Sequence, residues 1–416
     1  MAEPFQIDSR DPGSLARAGV LRTAHGEIRT PAFVPLATKA TIKGLEPREV
    51  TALGYDMVLG NTYHLFLEPG HELIARFGGL HRFMGWDGPI ITDSGGFQVF
   101  SMGYGNVAAE IKKTGGPVGS SKSVRIEERG VTFRSHLDGS TRFMAPETSM
   151  EVQAALGTDL ALVFDECTPF NVTREYTARS TERTHRWLQR CLDWHEEHGP
   201  EGQLVYGIVQ GGVFEDLRTA SAIEVAASRC DGVAIGGSLG ADKPQMHGVV
   251  QMATGVLGGD FEGKPRHLLG IGDVDDLIRG VELGIDTFDC VMPTRLARHG
   301  TAIVPDPERR WRVDLTAARH KESDEPIMDG CPCPSCTTGL SRGYLRYLTK
   351  HRELTGARLL TVHNLAYLAR LMADLRLAIG EGRLAERAAA LRAGDAPRVA
   401  AGHAGALPVA RGAVPR

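Results

Sequence analysis

Short apolar runs rich in Val, Ile and Leu alternate along most of the chain with longer stretches whose apolar residues recur at helical spacing. The runs lie at 30–36, 56–61, 89–93, 160–165, 204–210, 232–236, 267–270 and 287–289. Alternation of this kind predicts parallel strands joined by helical crossovers. Between the runs, 175–198, 214–228 and 275–283 read as helices, the first with Tyr176, Trp187, Leu188, Cys191 and Leu192 near one face. Eight strands in one series predict an α/β fold closed into a (β/α)8 barrel, because closure buries both sheet faces and leaves no edge.

Polar residues end several of these runs: Asp93 after "PIIT", Asp165 after "LALVF", Gln210 after "VYGIV" and Asp289 after "IDTF". The C-terminal strand ends of a barrel converge on one face, so the four groups are expected around a common cavity. Any one of them also fits a helix-capping role; the set of four points to a site. The barrel is expected over 30–305, preceded by a segment 1–29 that packs on it. A Gly/Ser/Lys-rich insertion at 102–129 contains "KKTGGPVGSSKS". A zinc-binding subdomain with C-terminal helices is expected over 306–393, and an Ala/Gly/Arg/Pro-rich tail, expected to be disordered, over 394–416.

Composition narrows the class only modestly. The 416 residues are 42% hydrophobic and 24% charged, ordinary for a globular enzyme. A net charge of −4 exerts no general pull on nucleic acid, so an RNA partner would have to meet a local basic patch. No apolar stretch is long enough for a membrane span, and residues 1–17 lack the apolar core of a signal peptide, which predicts a cytoplasmic protein.

Three of the seven cysteines crowd into Cys331-Pro-Cys333-Pro-Ser-Cys336, and His363 completes a C-x-C-x2-C-x26-H set. Three thiolates and an imidazole close a tetrahedral shell around Zn2+ and leave no position for a reacting water, so the predicted site is structural. Asp93 and Asp289 are suited to a double displacement at an anomeric carbon, one acid attacking C1′ while the other manages protons. In "TDSGGFQ", Gly95 and Gly96 would let a flat ring approach closely and Phe97 could stack on it. Asp165 could accept from the donor edge of a guanine-like base, while Gln210 and the Gly237 amide donate to its O6. The turns "QGG" and "IGGSLG" lack a P-loop lysine and the full dinucleotide fingerprint, which argues against a phosphate cradle.

"ITDSGGFQVFS" (91–101), "FDECTP" (164–169), "YGIVQGG" (206–212), "AIGGSLG" (234–240), "GIDTFDCVMPTR" (284–295) and the Cys3His set closely resemble the tRNA-guanine transglycosylases, also called queuine tRNA-ribosyltransferases. The resemblance runs in the family's order from about Pro31 to His363. It implies Asp289 as the nucleophile at ribose C1′ of the wobble guanosine and Asp93 as the general acid/base. It also implies Ser94, Phe97, Asp165, Gln210, Gly237, Ser238 and Gly240 as base-binding positions, and Arg295 and Arg298 as RNA contacts. The implied partners are a tRNA with G at the wobble position, a 7-deazaguanine, and a second copy of the chain met through Tyr344 and Tyr347. No redox or nucleotide cofactor is implied.

The chain departs from the bacterial pattern at 236–242, "GGSLGAD", where Gly240 replaces a valine and Asp242 a glutamate. A smaller residue at 240 suggests a roomier pocket that admits queuine as well as, or instead of, 7-aminomethyl-7-deazaguanine. Drift in a loop is the alternative. Two rival functions remain: a non-catalytic RNA-binding subunit, against which both acids argue, and a barrel glycoside hydrolase, against which the Cys3His module argues.

Overall fold

A computed structural model describes residues 3–103, 124–169, 172–237 and 239–399. All eight expected strands form, as Ala32–Pro35, Val58–Gly60, Ile90–Thr92, Leu160–Leu162, Leu204–Val209, Gly232–Ile235, Arg266–Leu268 and Thr287–Cys290. They are parallel and ordered in space as in sequence. The last strand pairs with the first, and a bridge between Leu36 and Leu59 closes the ring. Nearly every strand residue is buried, as expected where side chains fill the interior and helices cover the outside.

The first expected strand is two. Pro31 offers no N–H to a ladder, and the chain changes sheets there. Gly26–Thr30 joins Phe5–Arg10 and Arg17–Thr23 in an antiparallel sheet, while Ala32–Pro35 enters the barrel. The fully buried Arg17 guanidinium bonds both carboxylate oxygens of Asp286, at 2.9 and 2.6 Å, and ties this sheet to the residue preceding the last barrel strand.

The helices expected at 175–198, 214–228 and 275–283 appear as Arg174–His198, Glu215–Ala227 and Val274–Glu282. Thr173 caps the first by accepting the Tyr176 amide, and Trp187, Leu188, Cys191 and Leu192 form its buried face; Tyr176 is only partly buried. Part of the expected insertion is regular structure: Val124–Glu127 pairs with Gly130–Arg134, which pairs with Thr141–Met144. Residues 104–123, including Lys112, Lys113 and Lys122, lie outside the described residues.

Contacts cross two of the expected domain limits. Helix Leu354–Gly380 packs on helix Met292–Arg298 and on strand Ala32–Pro35. Tyr55 donates to the Leu365 carbonyl at 2.8 Å and Arg376 to the Pro31 carbonyl at 2.7 Å. This helix therefore covers the seam between first and last strands as part of the barrel, and the cysteine module is an excursion ahead of it. At the start of the expected tail, Arg387 pairs with Asp395 at 3.0 Å and the Arg398 amide donates to Asp374 at 3.0 Å. Residues 400–416 lie outside the described set.

Candidate active site

Parallel strands deliver Asp93, Asp165, Gln210 and Asp289 to one end of the barrel. Asp93 follows Ile90–Thr92 and is half-buried. Its Oδ1 accepts the amides of Thr62 (2.9 Å) and Gly95 (3.2 Å), and its Oδ2 the side-chain amide of Asn61. None of these donors is a cation. Burial pushes the Asp93 carboxyl up to about 7; the Thr62 and Gly95 bonds oppose this, and the negative charges of Asp289 and Asp165 reinforce it. A carboxyl so placed can both give and take a proton near neutrality.

Asp289 is 6% exposed. Its Oδ1 accepts the Gly270 amide at 3.1 Å and lies 3.2 Å from His267 Nε2. Across the rim, Asp165 accepts Ser94 Oγ at 3.0 Å and Gln210 Nε2 at 2.6 Å on separate oxygens. Burial pushes the Asp165 carboxyl up to about 6, with those two bonds partly offsetting it. Gln210 Oε1 is buried without a partner among the described residues. It lies against Gly237, where a Cβ would stand 2.2 Å away. Because Gln210 already donates to Asp165, its open acceptor is the more available half of that amide, and its expected part as a donor is narrowed to one remaining N–H.

The glycines of "DSGG" have an explanation other than room for a ring. A Cβ on Gly96 would meet the Asp165 carbonyl at 2.8 Å and its Oδ1 at 3.1 Å, so glycine lets two loops of the site touch. Gly95 has φ +78°, a conformation that disfavours side chains. Phe97 is 49% exposed in the first turn of helix Gly96–Gly103, open for stacking.

Away from this end, Cys331, Cys333, Cys336 and His363 are all buried, with their ligand atoms within 4.8 Å of one another. The three sulfurs lie 3.8, 3.5 and 3.4 Å from His363 Nδ1. Tetrahedral bonds of zinc length would separate S and N by about 3.5 Å, so the set fits a metal ion. His363 Nε2 lies 2.8 Å from the Ile303 carbonyl, which fixes the N–H there and turns the Nδ1 lone pair to the sulfurs. The described residues hold a second cluster, His25, His81 and Asp159, at the opposite barrel end. Its two rings stack at 3.7 Å and 18° with one nitrogen each on the carboxylate, so their lone pairs run side by side instead of converging. That arrangement is a hydrogen-bond clamp.

A model of the family described as queuine tRNA-ribosyltransferase matches residues 11–394. The chain belongs to the queuine tRNA-ribosyltransferase family. A queuine tRNA-ribosyltransferase from Roseiflexus sp. is 50% identical over 395 residues, covering 92% of this chain and 98% of that protein. Those of Pelotomaculum thermopropionicum and Symbiobacterium thermophilum are 46% and 45% identical, covering 92% and 98% of this chain and 96% and 97% of theirs. The family is that of the tRNA-guanine transglycosylases, which are pentosyltransferases.

Within this transglycosylase framework the remaining expected residues divide. Arg295 and Arg298 are exposed on helix Met292–Arg298, directly after the Asp289 strand, and neither has an ion pair among the described residues. Cys290 is packing: Met292 donates to its sulfur at 3.3 Å, and burial pushes the thiol up to about 12. Gly240 has φ +113°, and a Cβ there would meet Gln245 Cγ at 2.8 Å. The turn itself demands glycine, and a side chain at 240 would run into Gln245. Asp242 caps helix Lys243–Thr254 by accepting the Gln245 amide at 2.9 Å, which accounts for its short carboxylate. Ser238 lies outside the described residues.

Three residues escaped the sequence reading. Asn61 ends the apolar run before it, so the strand-end rule that selected Asp93 would have found it. The fully buried Arg218 donates to the Val209 (2.9 Å), Gly212 (2.7 Å) and Gly236 (2.8 Å) carbonyls, tying the Gln210 and Gly237 loops together; nothing local in "FEDLR" signals this. His267 is a polar residue that opens the run 267–270, a signal that was available.

Proposed function

We propose that the protein exchanges guanine at the wobble position of a tRNA for a 7-deazaguanine by two displacements at ribose C1′. Asp289 attacks C1′, an ester bond forms as the bond to guanine N9 breaks, and the departing base takes a proton from Asp93. The incoming base then loses a proton to Asp93 and displaces the ester. The carrying observation is that the parallel strands bring Asp93 and Asp289 to the same end of the barrel, with burial pushing the Asp93 carboxyl up to about 7. Both acids therefore serve the same barrel end, and the acid/base is poised near neutral pH. Exchanging one purine-like base for another is nearly symmetric, so no nucleotide or redox cofactor is called for.

Asp165, Ser94, Gln210 and Gly237 read the base edge, Phe97 stacks on the base, and Ser238 and Gly240 complete the base-binding set. Arg295 and Arg298 meet the anticodon-loop backbone while the target nucleotide is held out of its stack. Cys331, Cys333, Cys336 and His363 hold one structural Zn2+. Tyr344 and Tyr347, 44% and 56% exposed three residues apart on helix Arg342–Lys350, support a homodimer contact. No described helix is long and apolar enough to cross a membrane, and a tRNA substrate places the reaction in the cytoplasm.

The test is trapping of an enzyme–tRNA adduct on a denaturing gel. The native chain should give the adduct and Asp289→Ala should not; undiminished adduct in the variant would move the nucleophile elsewhere. Incorporation of radiolabelled queuine against 7-aminomethyl-7-deazaguanine decides the base, and strong preference for the smaller ends the queuine reading. Elemental analysis should find one zinc per folded chain.

A further inference from the structure

We infer that His267 is a positioning residue that selects which oxygen of Asp289 attacks the sugar: Oδ1 is held and Oδ2 is the nucleophilic atom. This rests on the reading of Asp289 as the nucleophile.

His267 sits mid-strand in Arg266–Leu268 with no exposed surface, in register with Thr287 on the neighbouring strand. Thr287 and Asp289, two residues apart, present their side chains to the same face. The imidazole spans them: Nδ1 is 2.8 Å from Thr287 Oγ1 and Nε2 is 3.2 Å from Asp289 Oδ1. An ionised carboxylate can only accept, so the proton belongs on Nε2, leaving Nδ1 to accept the Thr287 hydroxyl. Thr287 thereby fixes the tautomer and the tautomer fixes Asp289. The Gly270 amide supplies a second donor to the same oxygen. Among the described residues Oδ2 has no hydrogen-bond partner.

Two donors on Oδ1 drain its basicity and lock the carboxylate's rotation, so the free oxygen is the better nucleophile. When the Oδ2–C1′ bond forms, Oδ1 becomes the ester carbonyl oxygen, still bonded to both N–H groups. When the incoming base breaks that bond, the electron pair returns to the carboxylate, and the two donors already stand where negative charge reappears. His267 therefore assists the first displacement by orienting the carboxylate and the second by stabilising its returning charge, without touching the RNA.

The experiment compares the native enzyme with His267→Phe, His267→Met and His267→Gln by single-turnover formation and decay of the tRNA adduct, steady-state kcat and KM, and thermal unfolding. Removing the donor should lower kcat about 10²-fold, slowing both adduct phases, with KM for tRNA unchanged within about twofold. Gln, whose amide N–H can replace the imidazole donor, should recover about tenfold of that loss. If Phe does not fold, the Met and Gln variants make the same comparison. Near-native kcat in Phe or Met, or a Gln variant no better than Met, overturns the inference. Adduct formed by Asp289→Ala would instead overturn the nucleophile itself.

Discussion

Two carboxylates where the strands begin and two where they finish are held in different company. At the end where strands begin, Asp286 is locked onto the Arg17 guanidinium. Asp159 there accepts His25, His81 and the Ile90 amide. Burial works to raise the Asp159 carboxyl, yet the bonds from His81, Ile90 and His25 bring it below its usual range. At the end where strands finish, Asp93 and Asp165 are held only by neutral donors and face other acids, and both are pushed up. A carboxylate with a buried cation is spent on holding the fold. One positioned by amides and hydroxyls is oriented while its charge stays available for chemistry.

Four substitutions break or sharpen this contrast. Asp289→Ala should lower base exchange by about 10⁴-fold or more with thermal stability nearly unchanged, measured by turnover and calorimetry. Arg17→Met should leave activity per folded molecule intact but cost about 3–5 kcal/mol in denaturant unfolding, because it strands the buried Asp286 charge.

The third prediction concerns pH. Asp93 has a folded value above its unfolded one, so its contribution to stability is fully present below about pH 4. It is lost as pH rises through about 7. Asp93→Asn, though inactive, should therefore melt several degrees above the native protein at pH 8 and lose that advantage near pH 4. The smallest effect is expected for His81→Ala, about 1 kcal/mol at pH 7 for one lost bond to Asp159. Because Asp159 is depressed, its contribution is present above the ordinary carboxylate range and disappears as pH falls below it, so the difference between variant and native protein should close in acid.

Much of this was legible in the residue order. Eight apolar runs predict eight strands, and the polar residue ending each of four runs lands on the site, since a parallel barrel leaves no freedom about which end collects them. The Cys3His spacing is equally direct, because thiolates so close in sequence have few other uses. Glycine meanings were not legible: Gly96 answers to the Asp165 carbonyl on another loop and Gly240 to Gln245 in the helix that follows it, contacts that residue identity alone does not show. Helix Leu354–Gly380 looked like part of an appendage because its barrel partners are some 300 residues away in the chain.

By itself, then, the order of residues determined the strand count, the direction of the strands, the Cys3His cluster and the identity of the acids at the rim, all consequences of local periodicity and of ligand chemistry. Tertiary structure alone decided the protonation tendencies of those acids, the His267 link to Asp289 and the tie that Arg218 makes between two loops. These depend on burial and on distances of about 3 Å between strands remote in sequence, and such distances exist only once the barrel has closed.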